Sequence, residues 1–242
     1  MGIRRGSIST PIIADGLVFN MDAANKASYP RTGTTATDTI GNTSGTFRNG
    51  TIYSTDGVGS FYYGGGDEYV SLSTDLLTHI SNVETLTICQ WAKPAASNDF
   101  MTLGHVDTHP SARQNFGTWN NSNIIYNIGT TGNSAGCAIY KAYTNWGNWS
   151  YWCCTYDKNQ GSFAERLKGY IDGVDPGGWT EYGNSGYNTG TITNFDLGYV
   201  GQYGAYSNGY QGPVQIYNRV LSANEVLHNY NALKSRFEWV EE

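Results

Sequence analysis

In several turn-bounded runs of this chain apolar residues alternate with polar ones at period two, and near the end the spacing becomes that of a helix. In Val214-Gln215-Ile216-Tyr217 the alternation places Val214 and Ile216 on one face of a strand. Ser222-Ala-Asn-Glu225 then forms a capping box: Ser222 can accept from the amide three residues on, and Glu225 can reach back. Val226, Leu227, Tyr230, Leu233 and Phe237 follow at helical spacing and predict one short C-terminal helix. Upstream, turn-bounded runs predict strands over Gly16–Asp22, Phe61–Tyr63, Tyr69–Leu72, Leu86–Trp91, Ile124–Ile128, Cys137–Tyr140, Trp149–Tyr156, Leu167–Ile171, Thr191–Val200 and Tyr210–Tyr217. Gly64-Gly65-Gly66-Asp67 and Asp172-Gly173 are the clearest turn signals between them.

Many short strands and no fixed-period repeat predict a sandwich or barrel rather than a propeller. Ala23 to Gly50, rich in Thr, Gly, Asn and Ser, reads as a long irregular loop, a length that signals function or attachment. Met1 to Ala14 is polar, contains Pro11, and reads as a flexible arm or a docking strand. The expected organisation is an arm over 1–15, one sandwich over 16–237 and a tail over 238–242.

Composition supports this and narrows the partners. The 31 glycines and 19 tyrosines, with only 14% charged residues, suit a turn-rich all-β protein and argue against disorder. Net charge is −6 and the only dense basic pair is Arg4-Arg5, so no nucleic acid is expected as a partner. No apolar run is long enough to insert in a membrane, and the start has no apolar segment of signal-peptide length, so folding in a cytoplasm is expected. The four cysteines, Cys89, Cys137, Cys153 and Cys154, contain no C-x-x-C pair and fit no zinc signature. Cys153 and Cys154, adjacent in a strand, should face opposite ways, and all four are expected as buried free thiols.

Five segments, in order, resemble the strand motifs of the laminin-G-like domains of the concanavalin A-like lectin/glucanase superfamily. They are Gly64-Gly-Gly-Asp67-Glu68-Tyr69-Val70, Thr87-Ile-Cys-Gln-Trp91-Ala-Lys93-Pro94, and Asn148-Trp149-Ser-Tyr-Trp-Cys-Cys-Thr155-Tyr156-Asp157 with Tyr151 where histidine is usual. Gly169-Tyr-Ile-Asp172-Gly173 and Gly212 to Glu225 complete the set, the last with Pro213 where relatives carry an acidic pair. The resemblance spans roughly Gly16 to Phe237 and implies an all-β fold, a two-sheet antiparallel jelly-roll sandwich with one short C-terminal helix. Gly16-Leu-Val-Phe-Asn-Met-Asp22-Ala23 with Ser28-Tyr29-Pro30 is also similar to virion proteins of tailed bacteriophages.

Catalysis finds little support in the residues. A retaining glycosidase needs two carboxylates about 5 Å apart, often on alternate residues of one strand, and no such strand occurs. Asp67-Glu68 would point apart, Glu165 falls in a loop, and Glu225 is used by the capping box. No G-x-S-x-G elbow is present. His105-Val-Asp107-Thr-His109 could share one strand face, but a polar loop ahead of Pro110 explains it as well. Some family members hold calcium at the sandwich rim, and the resemblance extends this to Asp22, Asp67 and Asp157; no other cofactor is expected.

Glycan binding is the family activity that the composition best permits. Trp119, Trp146, Trp179, Tyr182, Tyr203 and Tyr206 lie in loop segments rich in Asn and Gly and are the candidate ligand contacts, for a glycan or for a protein. The resemblance to virion proteins, with the N-terminal arm and the Ala23–Gly50 loop as attachment segments, implies as the first reading a non-enzymatic virion structural protein, a capsid-decorating or tail-fibre subunit that forms homo-oligomers and contacts other virion proteins and host glycans. The alternative is a carbohydrate-binding, lectin-like module.

Overall fold

The computed structural model of the chain describes residues 11–95, 101–105, 114–119, 122–128, 137–183, 189–200 and 205–238. Its strands are β1 (Leu17–Met21), β2 (Thr35–Thr37), β3 (Ser44–Arg48), β4 (Ile52–Ser54), β5 (Ser60–Gly64), β6 (Tyr69–Leu72), β7 (Thr85–Pro94), β8 (Met101–His105) and β9 (Gln114–Trp119). They continue as β10 (Asn123–Ile128), β11 (Cys137–Ala142), β12 (Ser150–Asp157), β13 (Leu167–Ile171), β14 (Thr180–Tyr182), β15 (Phe195–Leu197), β16 (Tyr199–Val200), β17 (Ala205–Tyr206) and β18 (Asn208–Tyr217). The helices are α1 (Leu77–Ile80), α2 (Phe163–Arg166) and α3 (Ala223–Leu233).

Two antiparallel sheets form the sandwich. One has seven strands, in the order β13-β12-β7-β18-β5-β4 with β1 also on β18; the other has nine, in the order β14-β11-β10-β9-β8-β15-β6-β3-β2. Strand β18 organises the first sheet. Its first half pairs with β5 and its second half with β1, while β7 runs along its other edge. The register against β7 shifts between Gln211 and Val214, which places Gly212 and Pro213 in a bulge. Proline lacks an N–H and is tolerated where the ladder is interrupted, which accounts for Pro213 in an otherwise central strand.

The predicted alternation divides the core in two. Leu86, Ile88 and Ala92 of β7, Trp152, Cys154 and Tyr156 of β12, and Val214 and Ile216 of β18 face the second sheet. Cys89, Trp91, Tyr151, Cys153 and Tyr217 face the other way, under Val226, Tyr230 and Leu233 of α3. The capping box starts α3 as predicted: the Ser222 hydroxyl accepts from the Glu225 amide, and the Glu225 carboxylate accepts from the Ser222 amide at 2.8 Å. Asp172 and Gly173, at φ 51° and 82°, make the predicted turn, which closes Ile171 against Val174.

Four expectations change. First, Ala23 to Gly50 contains β2 and β3, the outer strands of the nine-stranded sheet. Gly45 obscured the pattern, yet the site requires it: a Cβ there would stand 2.6 Å from Cγ1 of Val70 on the neighbouring strand. Second, Thr191–Val200 is two strands broken at Gly198, whose φ is 82° and whose Cβ would stand 2.6 Å from the Tyr63 ring. Third, α3 stops at Leu233 and a 3-10 turn over Lys234–Arg236 follows, so Phe237 lies beyond the helix. Fourth, two of the four expected free thiols are bonded. Cys89 and Cys153 stand directly opposite on β7 and β12, with Cα atoms 4.0 Å apart, and form a disulfide. Cys137 and Cys154 are buried and free, and Cys154 faces away from Cys153 as the pleat requires.

The segment ahead of β1 docks. The Ile13 amide donates to Asn229 Oδ1 at 2.8 Å and the Tyr217 hydroxyl donates to the Ile13 carbonyl at 3.1 Å, which fixes this end of the arm against α3.

Candidate functional site

A cleft of about 500 Å³ opens on the α3 side of the seven-stranded sheet, lined by Ser54 to Val58, Trp149, Tyr210, Arg236 and Phe237. Strand register assembles one side of it. Lys93 of β7 and Tyr62 of β5 both stand opposite Tyr210 of β18, so the three side chains share the outer face. The Tyr62 and Tyr210 rings lie 4.9 Å apart, and the Lys93 ammonium sits 5.1 Å from the Tyr210 centroid.

The turn between β4 and β5 supplies the acidic group. Asp56 Oδ2 accepts from Lys93 Nζ at 2.6 Å, and Oδ1 accepts from the Trp149 indole N–H at 2.7 Å. Its side chain keeps 29% exposure, so the carboxylate remains reachable from the cleft. Gly57 and Val58 follow at φ 63° and 64°. Glycine is required at the first, because a Cβ would stand 2.6 Å from Phe237 and 2.9 Å from Trp149. Val58 is a β-branched residue in the left-handed region and 54% exposed, so the cleft rim holds a strained residue with little burial to offset it.

The remaining wall comes from the end of the chain. Phe237 stacks on Trp91 at 4.2 Å and packs against Trp149 at 4.7 Å. Gly212 in the bulge admits it; a Cβ there would lie 3.1 Å from the ring. Arg236 holds Asp22 through both terminal nitrogens, at 2.8 and 3.0 Å, and its Nε is buried with no hydrogen-bond partner. The cleft thus combines aromatic surface, one accessible carboxylate paired with Lys93, and one lining cation, Arg236, paired with Asp22.

The residues singled out from the sequence are dispersed. Trp146 packs edge-on against Tyr143 at 5.0 Å, partly buried on the main core. Trp179 lies 5.4 Å from Tyr126, covers Gly169 and donates its indole N–H to Asp175 at 3.0 Å. Tyr182 is 61% exposed and stands opposite Ala138, on the same outer face of the nine-stranded sheet as Tyr140, which stands opposite Thr180. Tyr206 stacks on Tyr199 at 4.4 Å, and Tyr199 in turn lies 5.3 Å from Tyr69. Trp119 ends β9 opposite Asn123, and its side chain lies outside the described residues, as do Tyr203, Asp107 and His109.

Asp22, Asp67 and Asp157 do not converge. Asp22 is engaged by Arg236, Asp67 is exposed, and Asp157 caps the turn to Asn159 and accepts from Gln160 at 2.7 Å. Among the described residues no group of three or more His, Cys, Asp or Glu is placed to hold a metal ion. Glu165 is the third residue of α2 and closes a capping box with Ser162, as Glu225 does with Ser222. Glu225 also receives Arg219 at 2.7 and 3.1 Å, and that guanidinium, with the capping contacts, lowers its carboxyl to about 2.

Sequence patterns match this architecture. A family model described as the concanavalin A-like lectin/glucanases superfamily matches residues 64–227, and the chain belongs to that superfamily. No curated protein matches. Among solved structures, domain 4 of AbnA, a GH43 extracellular arabinanase from Geobacillus stearothermophilus in complex with arabinotriose, is 13% identical over 88% of this chain and 98% of its own, with a TM-score of 0.56. The botulinum neurotoxin serotype G binding domain is 13% identical over 88% of this chain and 50% of its own, with a TM-score of 0.64. A structure of botulinum neurotoxin type C, whose cell entry depends on two ganglioside molecules, matches at 13% identity and TM-score 0.64 over 90% of this chain and 51% of its own. The chain therefore spans about half the length of these toxin structures. At such identities the likeness is one of fold. The comparisons give no support to the likeness to bacteriophage virion proteins. Among the described residues no helix is long and apolar enough to cross a membrane.

Proposed function

We propose that this chain is a non-catalytic carbohydrate-binding module and that the cleft beside Asp56 is its glycan site. The observation that carries the reading is the Asp56 carboxylate, fixed by Lys93 and Trp149 and still exposed, at the mouth of a cleft walled by Trp149, Tyr210 and Phe237. Sugar rings present apolar C–H faces and a rim of hydroxyls, so aromatic surface beside a preorganised acceptor suits them. Membership of a superfamily of lectins and glucanases, and the names of the similar structures, support the same reading.

The carboxylates support binding over hydrolysis. Glycoside hydrolysis uses two carboxyl groups across the scissile bond. Asp56 and Asp22 are each in an ion pair, while Glu165 and Glu225 are consumed by capping boxes. Attachment to virion proteins through the polar N-terminal arm and the Ala23–Gly50 loop, and homo-oligomer formation, find no support in the similar structures.

A glycan array probed with the wild type and with Asp56→Ala tests the reading. Binding by the wild type and loss in the variant is expected. No glycan bound by the wild type, or full binding by a folded Asp56→Ala, would overturn it.

A further inference from the structure

The charges around the cleft restrict what it accepts. Of its lining residues only Asp56 and Arg236 are charged, and each has its counter-ion immediately behind it, Lys93 at 2.6 Å and Asp22 at 2.8 Å. Two carboxylates against two cations leave the site with no net charge. An acidic sugar brings an anion that needs an uncommitted cation to replace its hydration. Arg236 is neutralised by its two-point contact with Asp22, and Lys93 is held between Asp56 and the Tyr210 ring. A second anion here would also approach Asp56 itself.

The same carboxylate suits hydroxyl donors. An ionised carboxylate has about four lone-pair directions, two on each oxygen. Trp149 takes one on Oδ1 and Lys93 one on Oδ2, so each oxygen keeps one acceptor direction. Two adjacent acceptors match two adjacent hydroxyls on one ring. Resting on the carbohydrate-binding reading, we infer that the cleft selects neutral sugars, with Asp56 as the specificity-determining group that accepts from a pair of neighbouring ring hydroxyls. Tyr210 and Phe237 supply the apolar contact.

Asp56→Asn reports on this directly. It replaces one acceptor oxygen by a donor and leaves Lys93 without its counter-ion, turning a neutral site into a cationic one. The test is the wild type and Asp56→Asn on an array carrying neutral glycans and sialylated or uronate-bearing glycans, at low and high salt, with thermal melts confirming that both are folded. The wild type is expected to prefer neutral glycans by about tenfold or more, with an affinity that salt leaves unchanged. The variant is expected to lose neutral binding and to gain binding of acidic glycans that weakens with salt. A wild type that prefers acidic glycans, or whose binding weakens with salt, would overturn the selectivity while leaving glycan binding in place. A wild type that binds nothing would overturn both. Should the variant fail to fold, the preference and salt response of the wild type decide the matter.

Discussion

Trp149 donates its indole N–H to Asp56 at 2.7 Å across 93 residues of sequence, joining the entrance of β12 to the turn between β4 and β5. The bond fixes the rotamer of the one accessible carboxylate in the cleft, so it links the stability of the turn to the geometry of the site. Trp149→Phe keeps an aromatic ring against Phe237 and removes the donor. A hydrogen bond to a charged group at a part-exposed site contributes on the order of 1 kcal/mol. The variant should lose about that much in urea unfolding and bind its best glycan at least about tenfold more weakly. Unchanged affinity would separate Trp149 from the site.

Val58 at φ 64° supplies a second test. The left-handed conformation costs a β-branched residue roughly 1–2 kcal/mol, whereas asparagine adopts it readily. Val58 is 54% exposed, so its side chain forfeits little burial when replaced. Val58→Asn should raise the melting temperature. A lower melting temperature would show that its methyl groups contribute more than their exposure indicates.

Asp196 sets a pH dependence. It is 6% exposed on β15, and burial raises its carboxyl from 3.8 to about 6, opposed by the Leu72 amide, the Ser71 hydroxyl and Arg48. The folded-state pKa lies above the unfolded one, so the folded chain takes up a proton first as pH falls. Relative to neutral pH, this group therefore adds stability between about pH 6 and pH 4. Asp196→Asn should be more stable than the wild type at pH 7, by about 1–3 kcal/mol. The advantage should vanish near pH 4 in paired denaturant titrations. An advantage of equal size at both pH values would rule out desolvation of the charge as its source.

The cysteines divide two and two. Thiol titration of the denatured chain should find two reactive groups without reductant and four after reduction, given one disulfide and two free cysteines. Cys89 and Cys153 are both fully buried beneath α3, so reduction should require opening of that face. Their link closes a loop across 64 residues of sequence, and on the chain-entropy model its loss costs about 4 kcal/mol. Four thiols in the unreduced chain would contradict the pairing.

The sandwich was legible because its signals are local. Period-two alternation in β7 and β18, the aromatic run of β12 and the Ser222–Glu225 capping box each need only a few consecutive residues. The cleft was not, because Asp56, Lys93, Trp149, Tyr210 and Phe237 come from five separate segments that only strand register and the bulge at Gly212 bring together. Four were in view for another reason: Lys93 and Trp149 sit inside family-like motifs, Tyr210 opens a predicted strand and Phe237 ends the predicted helical stripe, so each read as a fold marker. Trp146 and Trp179, chosen because loop aromatics often contact ligands, instead pack against Tyr143 and Tyr126. The disulfide was hidden similarly, since nothing in the spacing of Cys89 and Cys153 reveals that β7 and β12 are neighbours in register.

The most direct measurement is a crystal structure of the chain with the neutral glycan that an array identifies as its strongest ligand. The account predicts a sugar ring in the cleft, with two adjacent hydroxyls on the Asp56 carboxylate and its apolar face toward Tyr210 or Phe237. A ring bound instead on the outer face of the nine-stranded sheet, beside Tyr140 and Tyr182 or beside Tyr199 and Tyr206, would contradict it.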